Sequence, residues 1–207
     1  MNHKTLAAAG LSMALLFVTG CDAGTPVQGE GEARVQILLT DAPADYIEEA
    51  WVWISRVYLI PGEEDPEQGP PFVDLFNDAE NPLSYDLLTL RDGVIADMTG
   101  EVDVPAGRYN QLRMIVADAE VTLVDGYTFS DGGSTRKLFI PSGARSGIKV
   151  NLSEAITTEA GTISVVLVDF DVDQNFVIQG NPASPAGIQG VLFTPKLREL
   201  SRTVDRN

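Results

Sequence analysis

From Arg34 onward, apolar side chains tend to recur at every second position, in runs of about five to ten residues broken by clusters of Gly, Pro, Asn and Asp. That is the signature of half-buried strands, whose successive side chains point to opposite faces. It predicts strands over 34–40, 50–60, 71–76, 84–90, 108–117, 120–125, 127–130, 136–140, 147–152, 162–170, 175–179 and 190–195. No stretch carries the stripe of an amphipathic helix. Asp125-Gly126, between VTLV and YTF, has the composition of a type I′ hairpin turn, which needs positive φ at both central residues. Pro105-Ala106-Gly107 and Pro141-Ser142-Gly143 mark two more reversals, and the proline-bearing stretches 61–70 and 180–190 read as loops. Short strands at this spacing, without helical crossovers, predict an all-β fold, a single-domain antiparallel β-sandwich.

The first residues follow another rule. Leu6 to Val18 is an apolar run behind Lys4, shorter than the ~20 residues a membrane-spanning helix needs, and reads as the core of a signal peptide. Val18-Thr19-Gly20-Cys21 resembles the bacterial lipobox, which implies removal of residues 1–20 and acylation of Cys21. More than one acyl chain makes such an anchor stable, since each buried methylene contributes ~0.8 kcal/mol. Residues 21–32, rich in Gly and acid, read as a flexible tether with a span of roughly 18 Å. The expected organisation is therefore signal peptide 1–20, tether 21–32, β-sandwich 33–200 and polar tail 201–207. The expected place is the bacterial cell envelope, with the membrane as a partner through the lipid on Cys21. Asp22 resembles an inner-membrane retention signal whose meaning varies between bacterial groups, so either membrane fits.

Charge and the rarest side chains narrow the chemistry. Thirty Asp and Glu against fourteen Lys and Arg give a net charge of −16, which repels phosphate backbones and excludes nucleic-acid binding. The single His is His3 and the single Cys is Cys21, so a processed chain has no imidazole. That excludes Ser-His-Asp triads, Cys-His pairs and histidine-ligated zinc. Ser146 and Lys149 have the spacing of an S-x-x-K nucleophile, but span a turn into a strand rather than one helix face.

Two constellations remain. Asp169, Asp171 and Asp173 alternate with apolar residues, so one continuous strand would align three carboxylates about 7 Å apart. Calcium takes six to eight oxygens. Asp41, at the end of the first strand, would be a fourth ligand, and Asn175 would add a carbonyl oxygen. The alternative is that these acids cap turn amides, as Asp commonly does. Trp51 and Trp53 fall on one face of the second strand, with Val52 and Ile54 on the other. Facing outward, the indoles would form a platform for a sugar ring or for an apolar anchor of an envelope protein. The alternative is a satellite core beneath loop 61–82. Val104 to Tyr109 resembles the tyrosine corner of Greek-key sandwiches, which gives Tyr109 a structural role.

Four segments together resemble a family of bacterial lipoproteins, domain of unknown function 4382. They are Leu39-Thr40-Asp41-Ala42-Pro43, VWISRV from Val52 to Val57, VPAGRYNQLR from Val104 to Arg113, and Val168-Asp169-Phe170-Asp171. Pro141-Ser142-Gly143 followed by Gly147-Ile148-Lys149 matches in order, and the likeness covers about residues 33–200. It implies a sandwich of prealbumin or immunoglobulin-like type and carries no activity with it. The chain departs from the pattern after Asp171, where an insertion runs to Gly190. The functional expectation is a non-enzymatic binding or adhesion module, with calcium as an assisting ion. The alternatives are a carbohydrate hydrolase using a carboxylate pair and a structural accessory of a larger envelope complex.

Overall fold

The computed structural model describes residues 31–41, 45–62, 72–140 and 147–206; the expected signal peptide, Cys21 and nearly all of the expected tether lie outside them. Two long ladders carry the architecture. β2 (Ile47–Pro61) and β7 (Gly107–Leu123) run antiparallel, with Val52 opposite Ala119 and Leu59 opposite Leu112. β1 (Glu32–Thr40) lies parallel to β11 (Thr162–Asp169), and β11 pairs antiparallel with β14 (Leu197–Arg206). β9 (Ile148–Asn151) joins the two, antiparallel to β7 through Met114 and parallel to β14 through Leu197.

Short strands complete the sheet. β3 (Val73–Asn77) and β4 (Leu83–Asp86) pair with β2, and a 3-10 turn over Leu87–Leu90 follows. β5 (Ala96–Asp97) and β6 (Val102–Pro105) pair with β1, while β8 (Thr135–Lys137) and β10 (Ile156–Thr158) pair with β7. After a single helical turn, α1 (Val172–Asn175), β12 (Phe176–Asn181) and β13 (Gly187–Phe193) form a separate hairpin.

The fold is all-β, as the alternation requires, but the expected strictly antiparallel pairing is corrected: the sheet is mixed, with parallel pairs at β1/β11 and β9/β14. It curls so that alternate residues from both ladders enter one core. Val35, Ile37 and Leu39 of β1 join Val52 and Ile54 of β2 and Met114 of β7 in that cluster, all fully buried. At about 25 cal/mol per Å² of apolar area removed from water, this shared interior is the main source of stability.

Three local expectations change. Segments 108–117 and 120–125 form one strand, because a bulge opposite Trp53 and Ile54 takes up an extra residue. Only Gly126 of the Asp125-Gly126 pair takes positive φ, +89°, so the turn is not type I′, and β7 pairs next with β8 rather than with 127–130. Residues 201–206, expected as a polar tail, continue β14. The tyrosine corner forms: the Tyr109 hydroxyl donates to the Pro105 carbonyl at 2.6 Å, and burial pushes its pKa up to about 12.

Candidate functional site

The acidic pole lies where β1 and β11 end side by side, Thr40 opposite Asp169. The strand does not continue beyond Asp169. Asp171 takes a left-handed conformation, φ +48°, and its side chain accepts from Gln174 N at 3.2 Å as the cap of α1. The alternation expected to align Asp169, Asp171 and Asp173 is thereby broken, leaving Asp173 exposed on α1. Asp169, 3% exposed, accepts from the Asp171 amide at 3.1 Å and from Arg198 Nε at 2.7 Å. Arg198 also lies 3.7 Å from Asp171. Bonding to Asp169 and its charge hold the guanidinium above its ordinary range. Asp41 accepts from Val172 N at 2.8 Å.

Asn175 is fully buried and acts as a clip. Its Oδ1 accepts from Lys196 N at 2.8 Å, and its Nδ2 donates to the carbonyls of Lys196 and Phe170. The structure thus brings Asp41, Asp169, Asp171 and Asn175 to one pole, where backbone amides and Arg198 engage them. Among the described residues, no group of three or more His, Cys, Asp or Glu is placed to hold a metal ion.

The second constellation lies on the outer face of β2. Val52 and Ile54 are buried, while Trp51 and Trp53 are half-exposed on the other side and do not belong to the core cluster. Their rings stack, with centroids 6.1 Å apart and planes at 27°. Cross-strand partners share a face. Trp51 therefore stands between Asp86 of β4 and Glu120 of β7, and Trp53 between Ser84 and Asp118. Glu120 is followed outward by Lys137, which pairs with Asp118. Pairing continues past β8 through Leu138 N to Ala119 O, 2.8 Å, which puts Phe139 on the outer face beside Asp118. Phe139 is 82% exposed. The described part of loop 61–82 packs elsewhere: Phe72 lies under the Arg56 guanidinium, 4.1 Å from its ring centre, and β3 pairs with the far half of β2.

One cluster escaped the sequence reading. Glu199 and Arg202 of β14 form an ion pair with side chains 4% and 13% exposed. Arg202 donates to the carbonyls of Glu154 and Ala155, and Glu199 accepts from Ser153 N at 2.9 Å, so the pair clamps the β9–β10 loop. These residues line a shallow concavity of about 370 Å³. The only signal in the sequence was Glu and Arg three apart in a segment too polar to read as a strand.

A curled mixed β-sheet domain with an aromatic outer face and an internally paired acidic pole defines the class of protein. The chain belongs to the family described as Domain of unknown function (DUF4382), whose model matches residues 32–184, from the first residue of β1 into the turn between β12 and β13. No curated protein and no solved structure matches the chain.

Proposed function

We propose that the chain is a lipid-anchored, non-enzymatic binding module of the bacterial cell envelope, held by acyl groups on Cys21, and that the Trp51/Trp53 face contacts carbohydrate. The observation that carries this reading is the stacked indole pair, set outside the core on a pleated surface that includes Phe139. Two aromatic planes offer apolar contact to the C–H faces of sugar rings at little entropic cost, having few rotatable bonds to immobilise. The neighbouring carboxylates of Glu49, Asp118 and Glu120 accept hydrogen bonds from hydroxyls, of which sugars have many. Phe139 lies two strands from Trp53, about 10 Å at the ordinary strand spacing, so the face spans more than one ring.

The expected finer fold, a prealbumin or immunoglobulin-like sandwich, belongs to this proposal; the shared core between the two ladders supports it. A calcium-assisted contact at the acidic pole is less well supported, because Arg198 and three backbone amides already occupy its carboxylates. A hydrolase would need two facing carboxylates, one holding a proton. Of the two acids lining the concavity beside β14, Glu154 and Glu199, Glu199 is committed to Arg202 and Ser153.

The test is tryptophan fluorescence and isothermal titration calorimetry against neutral polysaccharides of envelope type. Binding with quenching, lost in Trp51→Ala and Trp53→Ala while the circular dichroism spectrum is kept, supports the reading. Binding unaffected by both substitutions, or no binding to any glycan tested, overturns it.

A further inference from the structure

A second concavity, of about 260 Å³, opens where β7, β9 and β10 meet. Its lining is mostly polar: Arg108 and Asn110 from β7, Lys149 and Asn151 from β9, and Leu152 and Glu154 from the following loop. Cations here stand out against the rest of the molecule, which carries more than two acids for every base. Arg34, Arg56, Arg136, Lys137, Arg198, Arg202 and Arg206 all pair with carboxylates. Arg108 and Lys149, like Arg91 and Lys196, form no ion pair with any described residue, although Glu154 lines the same hollow; what sets the two apart is that they face one concavity together.

Arg108 is also oriented. Its Nε donates to Asn110 Oδ1 at 3.3 Å, Asn110 Nδ2 donates to the Gly62 carbonyl at 3.0 Å, and the Arg108 carbonyl accepts from Gly62 N at 2.8 Å. The guanidinium is thus tied to the end of β2 through Nε, while its terminal nitrogens make no hydrogen bond to a described residue. A planar fork held at one corner, beside an ammonium and two carboxamides, matches the oxygens of an anion. We infer that this concavity is an oxyanion site, taking a carboxylate or phosphate group carried by a small molecule or a sugar residue. Its volume lies just under the ~300–1,000 Å³ of sites for drug-sized ligands, which suits one charged group with little attached. The site is separate from the tryptophan face: Arg108 is ten residues along β7 from Asp118, about 33 Å at strand rise.

The experiment is calorimetric titration of the full chain at low ionic strength with inorganic phosphate and with galacturonate, using methyl galactoside as the uncharged control. Saturable binding of at least one anion is expected, weakened roughly tenfold in Arg108→Gln and in Lys149→Gln, since a charge-assisted hydrogen bond is lost in each. Whichever anion binds more tightly identifies the carrier group. Arg91→Gln removes an exposed cation outside the concavity and should leave the affinity unchanged. Lys149→Gln keeps the test open if Arg108→Gln disturbs folding, because Lys149 is exposed and bonds to no described residue. Three results each overturn the inference: no saturable binding of either anion, binding of methyl galactoside that Lys149→Gln weakens as much as it weakens anion binding, or a loss in Arg91→Gln as large as in Lys149→Gln.

Discussion

Tyr109→Phe removes one oxygen atom and gives a pH-dependent signature. The hydroxyl donates to Pro105 O at 2.6 Å in a residue only 3% exposed. The other donor near that carbonyl, Thr158 Oγ1 at 3.4 Å, is too distant to replace it. The loss at neutral pH should be ~1 kcal/mol, which lowers the melting temperature by roughly 2–4 °C in a domain of this size. Alkaline pH should reverse the order. Burial raises the Tyr109 pKa from the ordinary 10.0 to about 12, so the folded state holds this proton more tightly than the unfolded state. The stability linked to that proton is fully present below pH 10 and is lost as pH rises through about 12. The difference amounts to on the order of 3 kcal/mol, more than the hydrogen bond contributes, so the phenylalanine variant should become the more stable protein near pH ~11. Tyr85, whose pKa burial and Asp97 also raise, titrates in both proteins and cancels in the comparison. Urea midpoints by far-UV circular dichroism at neutral and at strongly alkaline pH provide the assay. A wild-type advantage that persists undiminished above pH ~12 would refute the reasoning.

Arg198→Met should destabilise by roughly 1–2 kcal/mol, a value discounted because the guanidinium is 55% exposed, by leaving the buried Asp169 carboxylate with only the Asp171 amide. Asp169→Asn added to that variant should recover part of the loss in a urea titration. Deleting residues 201–207 removes the partners of β11 from Thr162 to Leu167 and the Arg202 clamp, and should abolish cooperative thermal unfolding; a silent deletion would return the segment to a tail. Melting curves in EDTA and in millimolar calcium should coincide, whereas a calcium-dependent rise lost in Asp169→Ala and Asp171→Ala would place the ion at the acidic pole. Cys21→Ser should move the protein from the membrane to the soluble fraction and remove labelling by palmitate.

The half of the fold built on β1, β2, β7 and β11 was legible because these strands alternate: their inward positions are mostly Val, Ile, Leu, Met and Ala, and burial on one face requires that period. β14 was not. It turns Leu197, Glu199 and Arg202 to the side where other strands put aliphatics, and an ion pair between two of its own residues replaces apolar contact. No local pattern shows that a polar segment will be held by partners on both sides. Parallel pairing was hidden for a related reason, since β1 and β11 are more than a hundred residues apart and nothing in either strand names the other. At the pole, the spacing of Asp169, Asp171 and Asp173 was read as though the strand continued; the left-handed Asp171 and the cap it provides ended it two residues earlier. For the tryptophans, spacing gave the shared face, but only the pairing with β4 and β7 put Glu120, Asp118 and Phe139 around them.

The place of β14 between β9 and β11 also orders events in time. The β2–β7 ladder can zip as soon as residue 123 is available, but β11 has no antiparallel neighbour until residues 197–206 have been synthesised. Contacts of such long sequence separation form late and slowly. Under the export we propose, a chain that meets the translocation machinery before residues 197–206 are made has half its sheet still open, and would thread through as an extended polymer. It would close only on the far side, where the last strand arrives to fill the gap.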